Sequence, residues 1–324
     1  MVLMYLKSMI VNHRKFTVGV IVFFSLVFAA GAWPAVAVSA IARGILTIQG
    51  LYIYSKGESE CGPVDSVKGT IQSAKLYGRV GELRHNSRLL KRENNLELWS
   101  TEHGNYWIVN SIDMDEFYGM LAEQEINIYG SRPNGVRRGD IVLDCGACIG
   151  IYTRRALLDG ARLVVAIEPA PDNVECLKRN LSKEIADKRV IVISKGVWDK
   201  EGTLDLHLNP GKSWGDSFVA TNDSASVSVR VPLTTIDRLA GELLLPAINV
   251  IKMDIEGSER QALAGARAVI SKFKPRLAIC LYHLEGDRKF IPAFVLGIDS
   301  SYRKQYGWCR NRNDQMLPDT AIFY

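Results

Sequence analysis

The chain has 324 residues, 47% hydrophobic and 23% charged, with 40 basic and 35 acidic side chains and a net charge of +5. At roughly 150 residues per domain, that length allows one large domain with an extension or two smaller ones. The composition excludes a small disulfide-stapled module, a collagen-like chain and a disordered protein, and the charge is too mild to argue for a nucleic-acid partner.

A mean hydropathy of +0.01 is high for a soluble enzyme, and the apolar residues are concentrated at the front. Phe16 to Ala42 holds no charge, and Val18 to Ala30 reads VGVIVFFSLVFAA. As a helix, these 27 residues would span about 40 Å, more than a hydrocarbon core of roughly 30 Å needs. Lys7, Arg14 and Lys15 precede the stretch and Arg43 follows it, as expected of a single-pass membrane anchor through residues 16–42. Ala35-Val36-Ala37 and Val38-Ser39-Ala40 also have the small-x-small form of a signal cleavage site, which keeps a cleaved signal as the alternative. The run is longer than the roughly 7–15 apolar residues of a signal peptide. The expected organisation is an anchor at 1–43, a connector and lead-in at 44–135, and the main domain at 136–324.

In the lead-in, Lys68 to Asn95 has spaced apolar residues (Ile71, Leu76, Val80, Leu83, Leu90) compatible with one or two amphipathic helices, with Arg79–Arg92 as a solvated helix face. Leu96–Trp99 and Tyr106–Val109 flank a Gly-containing turn and predict a hairpin. From residue 139 strands and helices alternate. Strands are expected at Asp140–Asp144, Arg162–Ile167, Val190–Ile193, Ile248–Met253 and Arg276–Tyr282, with two more at Arg303–Trp308 and Ala321–Tyr324. Helices are expected at Tyr152–Leu158, Asp172–Leu181 (with Asp172 as N-cap), Ser258–Phe273 and Phe290–Gly297. Thr203–Leu208 and Ser226–Val231 read as a hairpin-like insertion around the loop 209–222. This rhythm predicts an α/β fold, a doubly wound and mostly parallel sheet covered on both faces.

The first of these strands runs into Asp144-Cys145-Gly146-Ala147-Cys148-Ile149-Gly150. A Gly-bearing turn between strand and helix lets a ligand approach the backbone, with helix N–H groups facing it. The dinucleotide fingerprint is absent, because Cys148 and Ile151 stand where it requires Gly. The second strand ends in Glu168, an acid placed to accept hydrogen bonds from both ribose hydroxyls of a nucleoside.

The stretch Gly139 to Gly150 resembles the first motif of class I S-adenosylmethionine-dependent methyltransferases, and in particular the FkbM family. Glu168-Pro169-Ala-Pro171-Asp172-Asn173, with Asn180 downstream, agrees, as do Ile251-Lys252-Met-Asp254-Ile-Glu256-Gly257-Ser-Glu259 and Leu281-Tyr282-His283. The matches run over roughly residues 120–324, and Cys148 stands where this family commonly carries Asn. The resemblance implies a seven-stranded sheet with its last strand antiparallel and S-adenosyl-L-methionine as cofactor. Asp144, Gly146, Ala147, Cys148, Gly150, Glu168, Pro169 and Asn173 would lie at the cofactor. It also implies methylation of a hydroxyl on a small-molecule, glycan, glycolipid or secondary-metabolite acceptor. Because that cofactor is cytosolic, the domain is expected on the cytosolic side, against a slight excess of basic residues before the anchor.

Methyl transfer from a sulfonium is an in-line displacement with a neutral leaving group, so alignment does most of the work. An alcohol also needs a general base. His283, whose reference pKa of about 6.5 would leave it neutral at pH 7, is the expected base, with Asp254 orienting substrate or cofactor. Glu256 can act on a ligand or on the nearby helix start. Ser213 and Trp214, in a loop mixing Gly, hydroxyls and an aromatic, are candidates for a lid or substrate contact.

Six cysteines show no spacing that suggests a disulfide framework, and no Cys/His set is spaced for zinc, so no metal is expected. Two rivals stand beside the enzyme reading. One is a tethered nucleoside-binding scaffold; the other is a redox protein built on Cys145-x-x-Cys148, which leaves Glu168 and the Asp254–Gly257 turn without purpose.

Overall fold

The structure is a computed structural model that describes residues 35–55, 60–208, 216–218, 227–312 and 315–324. Most of the predicted anchor (16–34) and the lid candidates Ser213 and Trp214 lie outside these residues. Among the described residues, no helix is long and apolar enough to cross a membrane. The chain divides into two compact units: residues up to Gly81 with Cys309–Leu317, and Glu82–Trp308 with Pro318–Tyr324.

In chain order, the helices α1 (Ala35–Ser55) and α2 (Pro63–Asn86) come first. A meander follows, β1 (Arg88–Glu93), β2 (Leu96–Thr101) and β3 (Gly104–Val109), then α3 (Met114–Glu125). Next come β4 (Ile141–Cys145), α4 (Ile151–Leu158), β5 (Leu163–Ile167), α5 (Pro171–Asn180), α6 (Ser182–Ala186) and β6 (Val190–Ile193). A small sheet of β7 (Gly196–Val197), β8 (Gly202–Leu208) and β9 (Val227–Thr234) interrupts this rhythm, with β8 and β9 antiparallel as the insertion predicts. The main sheet resumes with α7 (Ile236–Glu242), β10 (Val250–Met253), α8 (Glu259–Ala264), α9 (Arg267–Phe273), β11 (Arg276–Cys280), α10 (Asp287–Ile298) and β12 (Lys304–Tyr306). The hairpin of β13 (Cys309–Arg312) and β14 (Gln315–Pro318) precedes the last strand, β15 (Thr320–Phe323).

The seven-stranded sheet has the order β12-β15-β11-β10-β4-β5-β6. The strands β11, β10, β4, β5 and β6 run parallel, and β15 lies antiparallel to β11, as expected of the last strand. All five residues of β4 and of β11 are buried, because helices cover both faces and an inner parallel strand has no wet side. Leu143, Ile251, Leu277 and Ile279 form the centre of the core, with Leu263 and Ile270 from the helices packed in the same cluster. The carboxyl ends of β4, β5 and β10 open at one edge, where open α/β sheets bind ligands.

Several local expectations change. The basic segment after Asn86 is not helical: Arg88–Glu93 pairs with β2 as an outer strand. The expected helix Ser258–Phe273 is two helices that part at Gly265, where a side chain would collide with the Trp198 carbonyl. Asp172 is not the N-cap of α5; Ala170 holds that position and Asp172 lies in the first turn.

In the smaller unit Cys61 and Cys309 form a disulfide across a separation of 248 residues, a pairing that cysteine spacing did not reveal. The amides of Glu60 and Cys61 donate to the Met316 carbonyl. Gly69 lies so close to Cys309 that any side chain there would strike its carbonyl. The buried hydroxyls of Thr70 and Ser73 donate back to Ser66 and Gly69 one turn earlier, which satisfies them inside α2.

Candidate functional site

Two clefts meet at the carboxyl edge of the sheet. The first, of about 510 Å³, is lined by Gly146, Cys148, Glu168, Pro169, Asn173 and Asp254 among others. The second, of about 680 Å³, is lined by Met120, Tyr129, Ala147, Tyr152, Lys252 and Tyr282. Gly146, Cys148, Asp254 and Glu256 belong to both walls.

Glu168 is held at the end of β5 by backbone donors. Its Oε2 accepts from the Cys148 amide at 2.8 Å and its Oε1 from the Ala170 amide at 2.9 Å. Burial raises its pKa, against these amides and Asn173, which favour the charged form. With Asn173 as a third donor, the carboxylate keeps about one of its four acceptor sites for a ligand. Asn173 and Pro169 line the same cleft.

The turn after β4 differs from expectation in its use of amides. The N–H groups of Gly146 and Ala147 both donate to the Ile167 carbonyl, and that of Cys148 to Glu168. These three donors serve the fold, not a ligand. Gly146 is needed on steric grounds, since its φ is +78° and a Cβ would collide with the Asp254 carbonyl. Gly150 lines neither cleft; it caps α4 at φ +91° and packs against Leu177 and Leu181.

Asp144 also lines neither cleft. It is 0% exposed, accepts from the Thr153 hydroxyl at 2.6 Å and lies 3.3 Å from the Lys252 ammonium, which is itself only 5% exposed. The register explains the pair, because Lys252 of β10 sits directly opposite Asp144 of β4. Lys252 also donates to the Gly146 carbonyl at 2.7 Å and so ties the turn to the sheet. Burial alone would lower its pKa, but Asp144 and Asp254 more than offset that and hold it charged. Burial raises the pKa of Asp144, with Lys252 and Thr153 opposing.

Asp254, Glu256 and His283 do come together. The His283 ring is 5% exposed, with Nε2 at 3.3 Å from Asp254 Oδ1 and 3.4 Å from Glu256 Oε1. Its Nδ1 faces Glu259 Oε1 at 2.8 Å. Asp254 Oδ2 accepts from the Tyr129 hydroxyl at 2.5 Å. Burial pushes the Asp254 pKa up, yet Lys252 and His283 with the Tyr129 hydrogen bond bring it below the ordinary value. Burial raises Glu256, with His283 opposing. Glu256 sits at φ +52° and its carbonyl accepts from the Ser217 hydroxyl at 2.6 Å.

The premise for His283 as a free base does not survive this environment. Burial would lower its pKa, but Glu256 and Glu259 raise it well above the ordinary histidine range. The two carboxylates therefore favour the protonated imidazole in this arrangement.

Two residues central to the site were missed from sequence. Glu259, fully buried, accepts from the amides of Ile255 and Gly257 and orients His283. Its signal was present, as a third acid within six residues at a helix start. Tyr129 has no comparable signal, since it meets Asp254 across 125 residues of chain.

The thiols of Cys145 and Cys148 are free and unreactive in character. Burial raises both pKa values, the reverse of the depressed thiolate that redox Cys-x-x-Cys pairs need.

The family profile described as "Methyltransferase FkbM domain" matches residues 144–306, half of the chain, and the protein belongs to the FkbM methyltransferase family. The hexuronic acid methyltransferase AglP of Haloferax volcanii is 29% identical over 126 residues, which are 39% of this chain and 49% of AglP. The chain thus spans about half the length of this curated relative. Among solved structures, the methyltransferase FkbM of Methylobacillus flagellatus is 22% identical with a TM-score of 0.46, covering 81% of this chain and 60% of its own. SMU.1697c of Streptococcus mutans, a putative methyltransferase solved with SAH, is 13% identical with a TM-score of 0.34, covering 58% of this chain and 89% of its own.

Proposed function

We propose that the protein is an S-adenosylmethionine-dependent O-methyltransferase acting on a hydroxyl of a glycan, glycolipid or secondary-metabolite acceptor. The observation that carries this reading is the pair of adjoining clefts with Asp254 and Glu256 in their common wall. The first cleft fits the cofactor. Its buried Glu168 carboxylate keeps an acceptor site for a ribose hydroxyl, and Gly146 leaves the turn without a side chain where a ligand would pass. Amides already engaged within the turn are no obstacle, since S-adenosylmethionine has no phosphate to be cradled.

The cofactor, when bound, supplies an electrophilic methyl group on a sulfonium that departs as a neutral thioether. The protein's own residues align and exclude. Glu168 and Asn173 fix the nucleoside end, and Lys252 holds the Gly146 carbonyl and the turn in place. Tyr129 fixes the orientation of the Asp254 carboxylate. The Asp254–Glu256 edge receives the acceptor hydroxyl beside the methyl donor, and its negative charge favours loss of the hydroxyl proton as the new O–C bond forms. Aromatic Tyr129 and Tyr282 beside Gln124 give the second cleft the mixed apolar and polar lining that suits a sugar ring.

A hexuronic-acid glycan is the acceptor class to test first, given the name of the Haloferax relative. Transfer of labelled methyl from S-adenosylmethionine to fractionated glycans and glycolipids tests the activity; cofactor binding with no label transferred to any pool would favour a scaffold. We further propose attachment to a membrane through residues 16–42, with the catalytic unit on the cytosolic side where the cofactor is made. The Cys61–Cys309 disulfide favours the opposite side, since such bridges persist in oxidising compartments. Protease protection of residues 60–324 in sealed vesicles decides between them.

A further inference from the structure

The Asp254–Glu256–His283 cluster has a geometry that hydrogen bonding within the protein leaves incomplete. His283 Nε2 is buried and makes no hydrogen bond, although two carboxylate oxygens lie 3.3 and 3.4 Å away. Asp254 Oδ1 is likewise buried without a hydrogen-bond partner. The three groups can present one donor atom each, all within 4.8 Å of one another. An N–H on Nε2 directed between two oxygens is well aligned with neither, and a cation bound there would displace that proton.

We propose that Asp254, Glu256 and His283 bind one divalent cation of the Mn²⁺ class, which holds the acceptor hydroxyl for methylation.

The spacing fits an ion better than a proton. Two donor atoms 3.3–3.4 Å apart subtend roughly 100° at an ion about 2.1 Å from each, close to the angle between neighbouring ligands in tetrahedral or octahedral sites. Each buried ligand is also anchored on its far atom, as ligating groups characteristically are. The far nitrogen of His283 faces Glu259 at 2.8 Å, and the far oxygen of Asp254 accepts from Tyr129 at 2.5 Å. Those outer bonds direct Nε2 and Oδ1 toward the same point.

One imidazole and two carboxylates form a mixed donor set. Carboxylates suit Mg²⁺ and Mn²⁺, while imidazole favours later first-row ions, so Mn²⁺ meets both demands. Three protein ligands leave open positions for the acceptor and water. Because Asp254 and Glu256 line both clefts, those positions face the place where donor and acceptor meet. A hydroxyl held on a cation loses its proton more readily, as bound water does. The O–H bond gives its proton to solvent, the O–C bond forms as the C–S bond breaks, and sulfur leaves as a neutral thioether. The role assigned to the ion rests on the methyltransferase reading; its binding does not.

The test separates the two. Full-length protein is stripped with EDTA and titrated with Mn²⁺ alone, following loss of the free-ion paramagnetic resonance signal, and separately with S-adenosylmethionine by calorimetry. The expected result is one Mn²⁺ per chain, weakened at least tenfold by D254N and by E256Q. E259Q should weaken it about 10- to 100-fold through His283. E256Q lies at a partly exposed position and guards against a variant that merely misfolds. Absence of Mn²⁺ binding to stripped wild-type protein, or equal binding by folded E256Q and D254N, overturns the cation site while cofactor binding still stands. Absence of cofactor binding with Mn²⁺ bound overturns the methyltransferase reading instead.

Discussion

The Cys148 amide donates to Glu168 Oε2 at 2.8 Å, so the turn after the first parallel strand is fastened to the carboxylate that ends the second. The same residue therefore shapes the turn and lines the first cleft. E168A removes the acceptor of two backbone donors, and an unsatisfied buried donor costs about 1–3 kcal/mol. E168Q keeps the volume and one carbonyl acceptor. Hydrogen bonds to a charged group are worth about 1.5–3 kcal/mol each, so losing the charged acceptor at one ribose hydroxyl should weaken S-adenosylmethionine binding about 10-fold or more. Calorimetry on E168Q, with its circular dichroism compared to wild type, checks this. Unchanged affinity would remove Glu168 from the cofactor site.

Acidification should weaken cofactor binding earlier than an ordinary glutamate predicts. The charged carboxylate is the stronger acceptor for the proposed ribose contact, and burial raises the pKa of Glu168. Protonation on the way down in pH therefore begins above the usual value of about 4.3. The sign for folding is the reverse. A carboxyl with a raised folded-state pKa contributes stability below its unfolded pKa and loses that contribution as pH rises through the folded value. Affinity should thus fall on acidification with no matching loss of stability from this residue. Binding titrations from pH 7 downward on wild type and E168Q check it; the same acid limb in both would show that another group is responsible.

The buried cysteines should resist alkylation in the folded protein. Burial pushes Cys176 up to about 12 and lifts Cys145, Cys148 and Cys280 as well, so almost no thiolate is present at neutral pH. Native mass spectrometry after iodoacetamide should show no label at Cys145, Cys176 and Cys280 and only slow labelling at Cys148, which is half-buried in the cleft walls, and denaturation should expose all four. C148S should retain methyl transfer. Rapid native labelling of both Cys145 and Cys148 would revive the redox reading.

The sheet was legible wherever burial acts on a whole strand. Ile141–Cys145 and Arg276–Cys280 are covered on both faces, and their apolar stretches Ile141–Leu143 and Leu277–Cys280 read as buried strand. Legibility failed where a distant partner decides. Arg88–Glu93 has spaced apolar and basic residues like a helix, yet pairing with Leu96–Thr101 makes it a strand. The break after Ala264 falls where the Trp198 carbonyl approaches Gly265. At the site, Glu168, Asn173 and Gly146 line the first cleft as the motif implied, whereas Asp144 and Gly150 turn inward to Lys252 and to Leu177 and Leu181. Motif spacing identifies a turn that ligands use; it does not say which members face the ligand and which hold the turn. His283 was placed correctly at its strand end, but its protonation depends on Glu256 and Glu259, whose proximity only the fold creates.

Lys252 and Asp144 should behave as a buried pair whose members cannot be removed singly. Their side chains are 5% and 0% exposed, and their nitrogen and oxygen lie 3.3 Å apart. K252M leaves the Asp144 carboxylate buried against Thr153 alone and frees the Gly146 carbonyl, so a loss of about 3–5 kcal/mol is expected. D144N leaves the ammonium unpaired on that side, although two carbonyls, of Gly146 and Cys145, remain near it. The double variant D144N/K252M removes both charges and should recover a large part of the loss, because an uncompensated buried charge costs more than an absent pair. Urea unfolding of the four proteins gives the coupling directly. Additive single losses would mean that the two side chains act independently. Cofactor affinity in the double variant then separates folding from function: with stability recovered, binding should still be weakened, because no side chain is left to hold the Gly146 carbonyl.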